Sequence, residues 1–505
     1  MIRIRHIPLF LAFAGLMAVS MYLPALHGVL NDRFREARAF FYSGTLGLFA
    51  IALVTIALSG RHRKARGGLT DLAALFAVFT VLPLYLAVPV YEGLLTTSFL
   101  NAYVEMVSSL TTTGATLFEA DRLSGTMHLW RAQVGWFGGL IMWITAAAIL
   151  APLNLGGFEV TASAERGHGD QPLGLYDRAD VNRRLQRSVR QLTPIYVGLT
   201  AVLWGCLVIA GERPLVGLIH AMSTLATSGI SPVTGGPADG QAGLPGELLI
   251  FLFLFFALSR LTFSSDTLTV ARVGPLNDPE FRLGLLLVAG VPLVLFLRHW
   301  IAAFDVDAVE NFAAAGRALW GSIFTVMSFL TTTGFESADW ADARDWSGLG
   351  TPGMILLGLS VMGGGVATTA GGVKLLRVYA LYLNGLREMD RLVHPSSVGR
   401  DSGHGRRIRR KGAFVAWVFF MLFAITLAAV SAVLAALGID FENAIVLAIA
   451  ALTTAGPLVT AGAETPILLV EIGAAAKLVF SAAMVLGRLE LLAIIALANP
   501  TLWRG

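Results

Sequence analysis

Four short stretches rich in threonine and glycine are the residues of this chain whose types and spacing suggest chemistry. They read SSLTTTG ending at Gly114, MSTLATSG ending at Gly229, MSFLTTTG ending at Gly334 and IAALTTAG ending at Gly456. The four glycines follow one another at intervals of 105 to 122 residues. One Thr-Thr-Gly sequence would carry little information, whereas four copies at nearly constant spacing predict a fourfold internal repeat.

The residue types in these stretches suit the binding of a dehydrated K⁺. Such an ion needs a ring of oxygen atoms, and backbone carbonyls supply it when several loops converge on one axis. Glycine permits backbone conformations that turn successive carbonyls toward the axis, and threonine can add a hydroxyl oxygen. The alternative is that glycine and threonine only allow close helix packing. We predict that K⁺ is bound by Thr112, Thr113, Gly114, Thr227, Ser228, Gly229, Thr332, Thr333, Gly334, Thr454, Ala455 and Gly456.

The rest of the chain has the composition of an integral membrane protein. Of its 505 residues, 55% are hydrophobic and 14% are charged, and the mean hydropathy is +0.70. Soluble domains carry roughly 25% charged residues, so this composition excludes a water-soluble enzyme. The sequence shows no paired carboxylates, metal-ligand spacing or nucleophile motif near a span, which predicts that the protein is not an enzyme. Its basic residues lie in short loops between apolar runs, which excludes nucleic acid as a partner.

Spanning segments must position the four stretches. A spanning helix needs about 20 mostly apolar residues, and ten windows qualify: 7–30, 37–59, 70–92, 128–153, 190–210, 245–270, 282–303, 352–384, 412–437 and 468–498. Four further stretches are too short or too polar to cross: 100–113, 215–228, 318–333 and 441–455. Each of these ends in a Thr/Gly stretch between two spans. We therefore predict four units of span, short re-entrant helix, Thr/Gly segment and span.

Charge in the loops indicates the orientation. Basic residues cluster at 61–66, 178–190 and 374–411, whereas the opposite side is acidic around Glu336 and Asp440. Basic loops mark the cytoplasmic side, so both termini are predicted to be cytoplasmic. The arginines of the loop 32–38 disagree, but three basic loops outweigh one.

Together with three other motifs, the Thr/Gly stretches resemble the Trk/Ktr/HKT superfamily of K⁺ and Na⁺ transport proteins, most closely its bacterial TrkH-type members. The other motifs are Trp130-Arg131 with Trp136-Phe-Gly-Gly139, GGGVATTAGGVKLLR at 363–377 and LGRLE at 486–490. The resemblance covers nearly the whole chain from the third span onward, and the two leading spans also match the TrkH arrangement. In the family a glycine in all four filters accompanies K⁺ preference. Ala455 departs from the family pattern, which indicates modest selectivity over Na⁺.

The resemblance implies an all-α integral membrane protein of about ten spanning helices. Four pseudo-repeats of span, re-entrant pore helix with filter loop, and span surround one pore, preceded by a two-helix N-terminal extension. The extension covers residues 1–69, and the four repeats cover 70–160, 161–275, 276–400 and 401–505. We refer to the Thr/Gly stretches as filter segments from here on.

An interrupted segment and an arginine are the candidates for a gate. The ten residues 363–372 contain five glycines and two threonines, which do not sustain a regular helix. In the family this segment looks like an intramembrane loop below the filter that moves to open the path. A kinked packing helix is the alternative, and a phosphate-binding loop would need Gly-Lys-Ser/Thr after a strand. The predicted gate residues are Gly363, Gly364, Gly365, Thr368, Thr369, Gly371, Gly372, Lys374 and Arg488.

Arg488 places a charge within an apolar span, which is costly and points to a function. It resembles the arginine at the narrow point of the family's pore. The alternative is a structural ion pair with Glu490. Lys477 lies eleven residues earlier and nearly on the same helical face, which makes it a second candidate for the pore.

The function that these observations favour is K⁺ uptake across the bacterial cytoplasmic (inner) membrane by a multi-pass protein. K⁺ is the substrate and the ligand of the filter, and no covalently bound cofactor is expected. The resemblance implies a homodimer in the lipid bilayer, regulated by a TrkA-like cytoplasmic nucleotide-binding ring on a separate chain. The alternatives are a K⁺/H⁺ or K⁺/Na⁺ coupled secondary transporter, a less selective Na⁺/K⁺ pathway and a subunit of a K⁺ pump.

Overall fold

The protein is described by a computed structural model that covers residues 8–59, 68–151, 157, 181–259, 278–302, 312–348, 351, 353–394 and 410–498. Every regular element in these ranges is a helix. Seven continuous helical stretches within them are long and apolar enough to cross a membrane. The predicted class of all-α, multi-pass membrane protein is therefore confirmed.

The N-terminal extension consists of two apolar stretches. The first stretch consists of the helices Leu9–Ser20 and Tyr22–Leu30, which follow each other almost without interruption. The second is Phe34–Ser59, which packs against both helices of the first. The extension contacts mainly the helices of the first repeat. Only 11% of the apolar window in Phe34–Leu58 is buried inside the chain. Such a face suits lipid, because apolar surface of that extent is unfavourable in water.

Four short helices lead into the filter segments. They are Phe99–Leu110, Pro214–Ala226, Phe312–Leu330 and Phe441–Leu452. All four were expected from the sequence, but the third begins at Phe312 rather than near residue 318. The extra turns contain the run Ala313-Ala-Ala315, and alanine is the strongest helix former. The prediction used only the length of the apolar run, so it did not include these first turns of the helix.

The helices that precede the short helices cross the membrane, and each pairs with the short helix that follows it. They are Gly68–Thr80 with Leu82–Leu94, Val181–Ile209, Pro279–Ala302 and Arg410–Ala436.

The helices that follow the filter segments change their geometry below the filter in every repeat, and those of the third and fourth repeats are broken there. The first, Gly125–Thr145, widens into a π turn over Ala146–Leu150, and the second, Gly243–Leu254, tightens into a 3₁₀ turn over Phe255–Ala257. The third is divided into Gly353–Met362 and Leu375–Val393, and the fourth into Ala474–Leu489 and Leu491–Ala498. The predicted window 245–270 thus overlaps the helical stretch Gly243–Ala257, and the window 468–498 contains Ala474–Leu489 and Leu491–Ala498; residues 260–270 lie outside the described ranges.

The repeats close into a ring. The post-filter helix of the first repeat packs on the short helix of the second, and the same contact joins the second to the third and the third to the fourth. The post-filter helix of the fourth repeat packs on the short helix of the first. Because the contacts return to their starting point, the four filter segments meet around one axis.

Candidate functional site

Each filter segment contains a threonine in a left-handed backbone conformation, two residues before its glycine. The φ angles are +56° at Thr112, +49° at Thr227, +57° at Thr332 and +53° at Thr454. In the first repeat, the N–H of Thr113 donates to the carbonyl of Ser108 at 2.9 Å. This is the Schellman cap of a helix, in which glycine usually takes the left-handed position. Threonine there costs about 1–3 kcal/mol, which points to a use for its hydroxyl.

The residues between this threonine and the glycine turn their hydroxyls back into the protein. The pairs of hydroxyl oxygens are Thr111 with Thr113 at 2.8 Å, Thr331 with Thr333 at 3.1 Å and Ser223 with Ser228 at 3.1 Å. Ala455 has no hydroxyl at this position in the fourth repeat. The carbonyl oxygens are therefore the groups of these residues that remain for a cation.

The four filter glycines lie where neighbouring segments come closest. A methyl group on any of them would collide with the next repeat: at Gly114 with Ser228 O at 1.7 Å, at Gly229 with Thr333 O at 2.2 Å, at Gly334 with Pro457 Cγ at 2.6 Å and at Gly456 with Thr113 O at 2.6 Å. The cyclic order is that of the helix contacts. Only glycine permits the filter ring to close at this radius.

The fourth filter segment departs from the other three. The backbone of Gly114, Gly229 and Gly334 is left-handed, with φ of +75°, +65° and +83°, whereas that of Gly456 is not. The N–H of Gly456 instead donates to Thr113 O at 2.6 Å. The carbonyl of Thr113 in the first repeat is thus already engaged by a hydrogen bond, and its donor lies in the fourth repeat, where the sequence departs from the family pattern.

The predicted gate loop is a compact turn inside the membrane. It runs from Gly363 to Lys374, and both ends have left-handed backbones with φ of +72° and +83°. The loop doubles back on itself, because Lys374 N–H donates to Met362 O at 3.0 Å and a methyl at Gly363 would lie 2.2 Å from Gly371 O. The prediction that residues 363–372 do not form a regular helix is confirmed.

The first half of the loop is fastened to the second repeat. Gly365 N–H donates to Ala257 O at 2.8 Å, and a methyl on Gly364 would lie 2.8 Å from the same oxygen. Thr368 closes this half by donating from its hydroxyl to Gly365 O at 2.7 Å.

The second half of the loop lies against the inner ends of three filter segments. The hydroxyl of Thr369 donates to Leu225 O at 3.1 Å, and its oxygen is 3.1 Å from Thr227 Oγ1. Gly371 N–H donates to Thr332 Oγ1 at 2.8 Å. A methyl group on Gly371 would stand 2.0 Å from Thr453 O in the fourth repeat. The loop therefore covers one end of the filter, which we call its inner end.

Arg488 reaches this loop from the fourth repeat. Its side chain is buried, and Nη1 donates to Thr369 O at 2.7 Å. Nε and Nη2 have no hydrogen-bond partner in the described part of the chain. A cavity of about 30 Å³ adjoins the guanidinium and is lined in part by Gly372, Lys374 and Glu490. The Lys374 ammonium donates to Ala370 O. The structure thus brings Arg488 and the loop together.

Glu490 does not pair with Arg488. Its carboxylate lies 2.8 Å from the guanidinium of Arg377, which is fully buried and stacks over the ring of Phe419 at 3.7 Å. This pair joins the helix that follows the loop to the helix that carries Arg488. Sequence reasoning missed it, although two opposite charges in apolar segments were a usable signal.

Lys477 is not close to the gate. Its ammonium donates to Asn101 Oδ1 at 2.9 Å and to Val470 O at 2.8 Å, near the start of the short helix of the first repeat. Lys477 therefore does not act together with Arg488 at the loop, because residues eleven positions apart on one helical face are separated by about 16 Å along the helix.

Two buried glutamates hold the segments that follow the first and third filters. Glu105 pairs with Arg131 at 2.5 Å and accepts the N–H of Leu117 at 2.9 Å. Glu247 accepts from the hydroxyl of Ser337 at 2.7 Å, and its other oxygen accepts the N–H of Ala338 at 2.7 Å. These glutamates bind the residues that follow the filter glycines and do not line the filter itself. No sequence motif identifies their role.

Four carbonyl-bearing segments that converge inside a ring of membrane helices, with a loop beneath them, define a membrane cation transport protein. The family model for TrkH, a cation transport protein, matches residues 252–503. The chain is 28% identical over 500 residues to the Trk system potassium uptake protein TrkH of Escherichia coli K12, with 97% of each chain covered. It is 29% identical over 417 residues to the protein of the same name from Vibrio parahaemolyticus, covering 81% of this chain and 80% of that one.

The crystal structure of the potassium transporter TrkH from Vibrio parahaemolyticus matches the fold with a TM-score of 0.82. Its sequence is 26% identical, and the match covers 99% of both chains. The chain belongs to the TrkH family of cation transport proteins. The family, the fold class and the transport rather than enzymatic nature of the protein are thereby confirmed.

Proposed function

We propose that this chain takes up K⁺ through a pore formed by its four repeats, with the ion bound by the filter segments. The observation that carries the proposal is the closed ring of filter segments, in which neighbouring repeats touch at the four glycines. Carbonyl oxygens brought together in this way can replace the hydration shell of an ion. The relatives are named potassium uptake proteins.

The same proposal assigns the gate to the loop Gly363–Lys374 and to Arg488. The support is that the loop bonds to the filter through Thr369 and Gly371, and that Arg488 bonds to the loop. A path for ions past this point requires the loop to move. A buried guanidinium beside that path also repels cations.

We further propose that the protein lies in the bacterial inner membrane with both termini cytoplasmic, as a homodimer regulated by a cytoplasmic nucleotide-binding ring. Basic loops support this orientation, and the names of the relatives refer to a Trk system. Light scattering of the purified protein in detergent tests the dimer, since one or two chains per particle differ twofold in mass. Nucleotide-dependent uptake after addition of a TrkA-like partner tests the regulation.

A less selective Na⁺/K⁺ pathway is the second candidate. The observation that favours it is the bond from Gly456 to Thr113 O, because that oxygen already accepts a hydrogen bond. A ring with one weakened ligand discriminates less sharply between ions of different size.

Tracer uptake of Rb⁺ into proteoliposomes loaded with K⁺, without a pH gradient, tests the function. We expect uptake that external K⁺ abolishes and external Na⁺ reduces less. Equal competition by both ions would favour the less selective pathway. Uptake that requires an imposed pH gradient would instead indicate coupled transport. The matched control is Gly114→Ala, whose filter ring cannot close in the same way.

A further inference from the structure

The hydroxyls of the four left-handed filter threonines are not equivalent, although their backbones are. Thr332 Oγ1 accepts the N–H of Gly371, and Thr227 Oγ1 lies 3.1 Å from Thr369 Oγ1. The hydroxyls of Thr112 and Thr454 are buried and have no hydrogen-bond partner in the described residues. The loop thus donates to the hydroxyl oxygen of Thr332, accepts a hydrogen bond from the hydroxyl of Thr227, and leaves the other two hydroxyls unpartnered.

Hydroxyl oxygens at the base of a carbonyl-lined filter are ligands for a cation. A hydroxyl that accepts a hydrogen bond from the loop has less electron density to offer an ion. Burial of the two unpartnered hydroxyls is itself unfavourable, and a cation between the segments would satisfy them. With the loop in place, an ion at the inner end of the filter finds three hydroxyl oxygens that accept no hydrogen bond from the loop, instead of four.

We propose that the loop and the ion compete for the hydroxyl of Thr332, so that occupancy of the innermost filter site releases the loop. This inference rests on the proposed function and adds how the ion itself acts on the gate. By linkage, an ion that binds more tightly when the loop is released must favour release by the same factor.

Thr369 carries the effect onward to Arg488. Its hydroxyl bonds to the second filter segment, and its carbonyl accepts from Arg488 Nη1. Displacement of this residue from the filter therefore loosens the hold of the arginine on the loop. The filter and the pore arginine are coupled through a single loop residue.

Hydrogen–deuterium exchange of residues 363–374, measured by mass spectrometry on the full chain in nanodiscs, tests the proposal. The two conditions are K⁺ and N-methylglucamine, an organic cation too large for the filter. In the unmodified protein we expect faster exchange in K⁺. Slower or equal exchange in K⁺ would overturn the proposal.

The decisive comparison is Thr332→Val against Thr454→Val. Both variants remove a hydroxyl from the same left-handed position, but only the first breaks a bond to the loop. Thr332→Val should raise exchange without K⁺ by about two- to tenfold, the effect of one hydrogen bond, and Thr332→Ser should restore protection. Thr454→Val should keep normal protection without K⁺. Equal exchange in the two valine variants would refute the competition.

A third variant and a separate readout keep the test independent of folding and of the proposed function. Thr369→Val removes the hydrogen bonds between the loop and the second filter segment without altering the filter itself. It should also raise exchange without K⁺. Tracer uptake is measured on the same preparations. If none of them takes up Rb⁺, the proposed function fails, whereas exchange alone decides whether ions and loop compete.

Discussion

Replacement of Arg488 by alanine should increase the resting flux of K⁺. The arginine holds the loop by a 2.7 Å bond from Nη1 to Thr369 O, and the loop covers the inner end of the filter. Loss of that bond shifts the loop toward its released position. It also removes a buried positive charge from the cavity below the filter.

The size of the increase follows from these two contributions. A hydrogen bond from a charged donor contributes about 1.5–3 kcal/mol, which corresponds to a shift of about ten- to a hundredfold in the population of the released loop. Repulsion between the guanidinium and a K⁺ about 4 Å away adds about 4 kcal/mol at an effective dielectric constant near 20. Both effects have the same sign, so about tenfold is the lower bound.

The variant should fold at least as well as the parent protein. Two of the donors of Arg488, Nε and Nη2, are buried without a partner among the described residues. Each unsatisfied donor costs about 1–3 kcal/mol, and the substitution removes both. The midpoint of thermal unfolding should therefore be unchanged or higher.

The assay is tracer uptake of Rb⁺ into proteoliposomes without a regulatory partner, normalised to the amount of folded protein. Arg488→Gln is the matched control, because glutamine can still donate to Thr369 O but carries no charge. It separates the bond from the repulsion and should conduct at an intermediate rate. Unchanged or lower flux through folded Arg488→Ala would refute the reasoning.

Three further predictions concern the filter and its surroundings. Gly114→Ala should abolish tracer uptake, because a methyl group there would lie 1.7 Å from Ser228 O. Arg131→Met should lower the free energy of unfolding by about 3–5 kcal/mol, since Glu105 remains buried without its cation; denaturant titration measures the loss. Burial raises the pKa of Glu336 above its ordinary 4.5. Uptake from dilute K⁺ should therefore fall as the pH decreases through this raised pKa, because protonation removes negative charge beside the third filter.

Each of these predictions has a control within the chain. Gly211→Ala also places alanine in a left-handed backbone, with φ of +99°, but meets no atom within 4 Å, so it should retain uptake. The double variant Arg131→Met with Glu105→Leu should regain much of the lost stability, because no buried charge remains. Glu336→Gln should conduct with a flatter pH profile. An unaltered profile would assign the pH dependence to another group.

The repeated turn of the filter segments could be predicted because its cause is local. A threonine that ends a short helix and a glycine two residues later determine the turn of the chain, and both are visible in four copies. The loop could be predicted from the sequence as well, since the glycines of 363–372 prevent a regular helix. What the sequence could not show is that this loop bonds to Thr332, because the two residues come from different parts of the chain.

The interruption at Glu490 shows why helix breaks were harder to predict. The segment Leu486–Leu491 contains no proline and only one glycine, so it lacks the signals that usually break a helix. Glu490 nevertheless has a left-handed backbone with φ of +64°, and its carboxylate reaches Arg377. A buried guanidinium without its carboxylate would cost several kcal/mol, which outweighs the regular helix. The break is thus caused by a tertiary contact, and local helix propensities do not predict it.

The contrast between the filter and the region below it bears on how the protein works. At the filter, four segments repeat the same backbone turn and contact one another in cyclic order. Below it, the four repeats diverge: a π turn, a 3₁₀ turn, a loop and a break at one residue. Coordination of a spherical ion needs ligands from all sides, which favours fourfold similarity. Control of the path needs only one element with two positions, and the loop of the third repeat is the element that contacts both the filter and Arg488. If the loop is the gate, as we propose, divergence of the repeats below the filter is what allows a nearly symmetric ion site to be closed from one side.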